Sequence, residues 1–326
     1  MGALLEVRDL TTRFRVGRRV FINAADHVGF TLDEGETLAI VGESGSGKSV
    51  TALSVMGLVP NPPGRIEHGE ILFRGEDLLK LTPRRMRGVR GNKIGMIFQE
   101  PMSSLNPVFT IGSQIAEAIL THNDVSRAEA RSRAIELLKQ VEIPDPERRV
   151  KTYPHQMSGG MRQRVMICMA LASSPDILIA DEPTTALDVT IQAQILELIR
   201  SLARERNTAV LFITHDLGVV AGIARRAIVM YAGRIVEMGP VKELFAKPLH
   251  PYTRGLLRAI PKLATPRGQP LYTIPGIVPD LSRLPLGCAF VTRCPDREAI
   301  CGKGKPPLRT LGDGRQCACF LAEGGV

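Results

Sequence analysis

Tryptophan is absent from the 326 residues, and aromatics together make up only 4%. A ring platform for single-stranded nucleic acid is therefore poorly supported, because such sites set an aromatic face beside successive bases. Long apolar runs are missing too. The most apolar stretch, residues 165–180, is broken by Ser173, Ser174, Pro175 and Asp176, so no membrane-spanning helix is expected. Near the start, Glu6, Arg8 and Asp9 stand where an export leader needs its apolar stretch, which predicts a cytoplasmic chain. Cysteine is nearly missing from the body: only Cys168 precedes five thiols (Cys288, Cys294, Cys301, Cys317 and Cys319) crowded into the last 39 residues.

What is present describes a globular chain. At 326 residues and 44% hydrophobic, it can bury at least one large core and carry an appendage beyond it. The formal charge of +9 admits nucleic acid, an anionic membrane face, or plain solubility. With no basic run interleaved with aromatics, solubility is the preferred reading and membrane proximity the second.

Thr37-Leu38-Ala39-Ile40-Val41 is a short apolar run leading into a glycine-rich turn, the pattern of a buried strand, and a helix should follow from Lys48 to about Met56. Ser126 with Glu129 three residues on reads as a capping box before a helix. Another helix opens after Ser158. Ile177-Leu178-Ile179-Ala180 and residues 210–214 read as further strands, and Ile191, Ile195, Leu198, Ile199 and Leu202 recur at helical spacing between them. Short strands alternating with helices predict an α/β fold with a mostly parallel sheet. From Pro248 to Pro285 there are eight prolines and little periodicity, which predicts an extended connection along the surface.

Gly42-Glu43-Ser44-Gly45-Ser46-Gly47-Lys48-Ser49 fits G-x-x-x-x-G-K-[ST] between a predicted strand and a predicted helix. Gly42, Gly45 and Gly47 let the backbone wrap phosphate oxygens, Ser44 lies in the loop, and the helix N-terminus adds partial positive charge. Lys48 would bridge the β- and γ-phosphates of ATP and the Ser49 hydroxyl would ligate Mg²⁺. Asp181, immediately after the predicted strand Ile177–Ala180, would hold Mg²⁺ through water. Glu182 beside it is placed to orient the attacking water or take its proton.

These residues alone indicate a P-loop NTPase. Tyr153-Pro154-His155-Gln156-Met157-Ser158-Gly159-Gly160-Met161-Arg162-Gln163-Arg164 narrows the reading, for it resembles the signature of ABC ATPases, with Ser158, Gly159 and Gly160 opening a helix. The resemblance implies an ABC cassette with an N-terminal β subdomain and a helical signature subdomain, in which each ATP lies between the P-loop of one subunit and the signature of another. Gln99 in Ile97-Phe98-Gln99-Glu100-Pro101 resembles the glutamine loop that senses Mg²⁺ and water. Ala186-Leu187-Asp188 resembles the D-loop, His215 the switch histidine at the γ-phosphate, and Phe14 is the candidate for stacking on adenine.

Gln99-Glu100-Pro101-Met102-Ser103-Ser104-Leu105-Asn106-Pro107, His250-Pro251-Tyr252-Thr253, and Gly287-Cys288-Ala289-Phe290 followed by Arg293-Cys294-Pro295 resemble the oligopeptide/dipeptide (and nickel) importer ATPases over nearly the whole chain. Met161 resembles the first of that family's two ATPase subunits. The implied organisation is a cassette over 1–240, with its helical subdomain at about 100–170, and a small Pro- and Cys-rich domain over 241–326. The implied partners are a homologous second ATPase subunit, two transmembrane permeases and an extracytoplasmic solute-binding protein, at the cytoplasmic face of the inner membrane, with no nucleic acid. Nickel or another small solute stays an alternative cargo. A soluble nucleic-acid ABC ATPase and an exporter are rivals, opposed by a single Walker A motif without sustained heptads and by the C-terminal segment.

Five thiols so close together in a cytoplasmic chain point to metal rather than disulfides. Cys288, Cys294, Cys301 and Cys319 are the candidate ligands of a [4Fe–4S] cluster, with zinc or unligated thiols as alternatives; the gaps lack the C-x-x-C pair of a zinc ribbon. Cys319 is preferred to Cys317 from the resemblance. Because these cysteines lie far in sequence from Lys48 and Glu182, the expected role of the metal is structural.

Overall fold

The computed structural model describes residues 2–100, 104–185, 187–260 and 272–322. Pro101, Met102 and Ser103 of the glutamine-loop motif, Ala186 of the D-loop motif, and Pro261, Pro266 and Pro270 lie outside the described residues. Among the described residues no helix is long and apolar enough to cross a membrane. The chain forms two compact units, one of Met1–Leu32, Thr37–Leu79 and Thr214–Val326, the other of Asp33–Glu36 and Lys80–Ile213.

In the first unit, strand Leu5–Arg15 lies between Phe21–Leu32 and Gly64–Phe73, antiparallel to both, with Leu5 opposite Leu32 and Phe73. Leu5, Val7 and Leu10 are buried, and the ladder slips where Asp9 and His27 take left-handed backbone angles, as an extra residue in one strand requires. Strand Thr37–Val41 runs parallel to Arg226–Tyr231, and Arg234–Pro240 returns antiparallel to it. The two-residue turn between them, Ala232 and Gly233, has φ of 48° and 83°, the handedness that keeps tightly joined strands from splaying. Gln316–Cys317 and then Arg309–Thr310 extend this sheet.

In the second unit, Ile94–Ile97, Ile177–Asp181 and Ala209–Thr214 are parallel, with Ile177–Asp181 in the centre. All their residues are buried, which is why they read as unbroken apolar runs rather than alternating ones. Helix Arg127–Gln140 begins where Ser126 Oγ accepts the Glu129 N–H at 3.1 Å. Helix Gly159–Leu171 is tied to its neighbours by Arg164, 8% exposed, whose guanidinium donates to Val141 O at 2.6 Å, Glu142 at 3.0 Å and Gln194 at 3.2 Å. The α/β expectation with parallel strands is met in this unit and around Thr37–Val41.

The expected extended connection after Pro248 is corrected by helix Pro251–Ala259. Proline at the first helical position removes an N–H that would have no partner there, so Pro251 starts a helix instead of breaking one. His250 Nδ1 accepts the Tyr252 N–H at 3.1 Å, and the helix buries Tyr252, Thr253 and Gly255. Just before it, Glu237, fully buried, accepts the N–H groups of Leu249 and His250 at 2.9 Å each. Burial pushes the Glu237 carboxyl up, and those N–H groups pull against it.

Candidate functional site

The glycine-rich loop joins strand Thr37–Val41 to helix Lys48–Val55 within the first unit. Gly47 precedes the helix at φ 101°, and a Cβ there would lie 2.2 Å from the Ala24 carbonyl oxygen; a Cβ on Gly42 would lie 2.3 Å from the Met230 oxygen. No side chain fits at either position, so the backbone itself faces the cradle. Ser44 and Gly45 are exposed at the crown of the loop, Ser49 sits in the first helical turn, and the buried Ser46 hydroxyl has no hydrogen-bond partner among the described residues. Lys48, 4% exposed, folds over the loop and donates to the carbonyls of Gly42 at 2.8 Å and Glu43 at 3.1 Å. A buried ammonium among backbone N–H groups and a helix N-terminus suits the phosphates of a nucleotide.

Glu43 is gripped from the far end of the chain. Its N–H donates to Tyr252 Oη at 2.8 Å, and its carboxylate takes both guanidinium arms of Arg293, at 2.7 and 3.0 Å. Arg293 is 3% exposed and also donates to the Pro275 carbonyl at 3.0 Å and to Tyr231 Oη at 3.4 Å. Glu43 and Tyr231 hold its guanidinium charged. Tyr231, Tyr252 and Phe290 pack ring against ring, with centroids 4.6 to 5.4 Å apart, and burial raises the Tyr231 hydroxyl and pushes that of Tyr252 well above its ordinary range. Sequence reasoning assigned Tyr252 and Arg293 to family motifs without a role at the phosphate loop, and nothing local in the sequence signals contact across 250 positions.

In the second unit, Asp181 ends its strand and is 5% exposed. Glu182 follows in a left-handed conformation, φ 46°, a costly geometry for a non-glycine residue and one found at sites where a side chain must be aimed. Its N–H donates to Ile213 O at 2.9 Å, while its carboxylate accepts from Thr185 Oγ1 at 3.0 Å and from Gln99 Nε2 at 3.3 Å. Gln99 and Glu182, singled out separately in the sequence, thus meet. Ser158 caps helix Gly159–Leu171, its Oγ accepting the Met161 N–H at 3.3 Å, and Asp188 caps helix Val189–Arg206 by accepting the Ile191 N–H at 2.9 Å. A Cβ on Gly160 would lie 2.8 Å from Ile191, and one on Gly159 would lie 3.8 Å from Leu187, so this turn packs against Leu187 and the first turn of helix Val189–Arg206.

His215, in the first unit, is exposed at the end of strand Ala209–Thr214, before the helix Leu217–Ile223 that Asp216 caps. Phe14 is half-buried near the end of its strand, and its ring covers Gly64, where a Cβ would lie 2.6 Å from Phe14 Cε1.

All six cysteines are free thiols. Cys288, Cys294, Cys301 and Cys319 line one cavity together with His250 and Phe290; its empty space is about 310 Å³, open solvent included. Cys317 is instead in strand Gln316–Cys317, between Glu237 on one side and Arg309 on the other. Burial pushes the Cys288 thiol up to about 11 and raises Cys294 and Cys319. Among the described residues no three His, Cys, Asp or Glu side chains are grouped to hold one metal ion. Arg293, adjacent to Cys294, reaches the phosphate loop at Glu43. Distance along the chain does not measure distance in the fold.

The ABC transporter family matches residues 25–185, and the oligopeptide/dipeptide transporter C-terminal region matches residues 236–301. A probable peptide ABC transporter ATP-binding protein of Sinorhizobium fredii is 56% identical, over 98% of this chain and 95% of that protein. The oligopeptide transport ATP-binding protein OppD of Bacillus subtilis is 55% identical, over 95% of this chain and 86% of its own length. Among solved structures, a dimeric ATP-binding cassette, MJ0796, in a post-hydrolysis state with ADP and Pi has a TM-score of 0.65 at 30% identity and covers 73% of this chain and 98% of its own. With the phosphate loop, the strand-end carboxylates and the capped signature helix in place, the chain belongs to the ATP-binding, ATP-hydrolysing subunits of ABC transporters, in the branch that carries the oligopeptide/dipeptide transporter C-terminal region.

Proposed function

We propose that the chain hydrolyses ATP to drive import of di- or oligopeptides, as a peripheral subunit at the cytoplasmic face of the inner membrane. The observation that carries this reading is the phosphate loop with Lys48 folded into it and a peptide-transporter C-terminal region fastened to its Glu43. The names of the similar proteins, peptide and oligopeptide transport ATP-binding proteins, supply the cargo class. The domain limits proposed are a cassette over 1–240 and an extension over 241–326.

Lys48 and the backbone of Gly42, Ser44, Gly45 and Gly47 bind the phosphates, and Phe14 stacks on adenine. A hydroxyl, an amide and a carboxylate oxygen suit a hard cation, so Ser49, Gln99 and Asp181 would hold Mg²⁺, which neutralises phosphate charge. Glu182, fixed by Thr185 and Gln99, orients the attacking water and takes its proton, and His215 contacts the γ-phosphate. Ser158, Gly159 and Gly160 present a capped helix N-terminus to a nucleotide held by a second subunit, with Asp188 beside them. The second subunit is a homologous ATPase, so two unlike subunits form the pair; two permeases and an extracytoplasmic solute-binding protein complete the importer.

The four cavity-lining cysteines are proposed ligands of a [4Fe–4S] cluster. What supports the reading is that these four thiols line one cavity, and zinc stays the alternative group they would hold. Turnover tests the shared site: the isolated chain hydrolyses ATP slowly and gains activity when assembled with the second ATPase and the permeases. Strong hydrolysis by a verified monomer contradicts it.

A further inference from the structure

We infer that Arg293 is a positioning residue for ATP binding: by neutralising and holding Glu43 inside the phosphate loop, it lets the C-terminal region set nucleotide affinity. The inference rests on the reading of residues 42–49 as the phosphate site. Glu43 is the only acid in that loop, and an anionic side chain there opposes the polyphosphate that the loop must attract. Arg293 answers that charge with a two-armed ion pair of 2.7 and 3.0 Å. The pair is not a surface contact: Arg293 is 3% exposed and Glu43 29%, so little water screens it. The guanidinium cannot easily swing away, because the carbonyls of Pro275 and Ile274 hold it at 3.0 and 3.4 Å.

The same residue leads on to the phosphate lysine. The Glu43 carbonyl accepts from Lys48 Nζ at 3.1 Å, and its N–H is fixed by Tyr252 Oη at 2.8 Å. Removing Arg293 would leave an unanswered carboxylate on the residue whose backbone carbonyl accepts from Lys48, a negative charge that competes with phosphate for the loop. Removing both partners leaves no such competitor. A simple structural staple behaves differently: its loss weakens the loop whether or not the carboxylate remains.

The test is calorimetric titration of the full-length chain with MgATP, with thermal unfolding of each variant recorded without nucleotide. Arg293→Gln is expected to raise the dissociation constant on the order of tenfold. Arg293→Lys, which keeps the charge, and the double variant Glu43→Gln/Arg293→Gln are both expected to bind within about threefold of wild type. Lys48→Ala is the reference: if it still binds MgATP normally, the phosphate-site reading fails, whatever Arg293 does. If Lys48→Ala loses binding while Arg293→Gln binds as wild type, or the double variant is as weak as the single one, the inference is overturned and the site reading stands. Should Arg293→Gln not fold, the double variant and Arg293→Lys decide: near-normal binding by both supports the inference, and weak binding by either overturns it.

Discussion

Arg293 and Glu43 stand 250 positions apart in the chain and are joined by two hydrogen-bonded contacts, 2.7 Å from Nη1 to Oε2 and 3.0 Å from Nη2 to Oε1. One partner belongs to the phosphate loop and the other precedes Cys294, so the cysteine-lined region and the nucleotide machinery share a buried ion pair. Tyr252 reinforces the connection from the helix that starts at Pro251.

That helix depends on Glu237, which accepts the two N–H groups at its threshold. Glu237→Leu would leave both without a partner in a buried place, at an expected cost of about 2–4 kcal/mol. Glu237→Gln keeps an acceptor oxygen and should lose less. Chemical denaturation of the two variants measures the difference, and equal losses would show that the carboxylate oxygens are not the support for this turn.

Lys48 and Glu182 should separate in phenotype. Lys48→Ala removes ground-state charge from the phosphate cradle and should abolish tight ATP binding, whereas Glu182→Gln should keep binding and trap a closed, non-hydrolysing assembly. Equilibrium binding and turnover on the same preparations distinguish them. Wild-type hydrolysis by Glu182→Gln would remove Glu182 from the role of base.

Ser158 caps its helix and, in the proposed assembly, also faces a nucleotide on the second subunit. Ser158→Ala should cost about 1 kcal/mol through the lost cap, read from thermal unfolding of the isolated chain. It should also lower turnover of the assembled transporter without weakening ATP binding to the isolated chain. A loss of binding in the isolated chain would mean that Ser158 serves its own subunit's nucleotide.

Cys319 lines the cysteine cavity and Cys317 does not. After anaerobic purification, Cys319→Ser should lose iron, sulfide and the broad absorbance near about 400 nm expected of thiolate-ligated iron, while Cys317→Ser should retain them. The opposite pattern would exchange the two ligands. Stoichiometric zinc in place of iron in the wild-type protein would reject the cluster.

Most of the candidate nucleotide residues were legible because their patterns are local. A glycine at φ 101°, a lysine after it, a carboxylate ending an apolar strand and a serine before a helix each announce themselves within a few residues. The helix Pro251–Ala259 was hidden because prolines count as breakers until one is seen to occupy the first helical position. The contacts of Tyr252 and Arg293 with Glu43 were hidden for another reason: they depend on how strand Arg226–Tyr231 and the segment after it fold back, which no local pattern encodes. Glu182 shows the intermediate case, where sequence supplied the residue and structure supplied its partners Thr185 and Gln99.

Uptake of a labelled peptide into proteoliposomes reports whether ATP hydrolysis by this chain drives peptide import. The proteoliposomes would contain the two permeases, both ATPase subunits and the solute-binding protein, with ATP supplied on the face that exposes the ATPases. Uptake is expected to require ATP and to disappear with Glu182→Gln in this chain while that variant still binds ATP. Uptake undiminished by Glu182→Gln, or none of any peptide by the wild-type assembly while it hydrolyses ATP, would contradict that coupling.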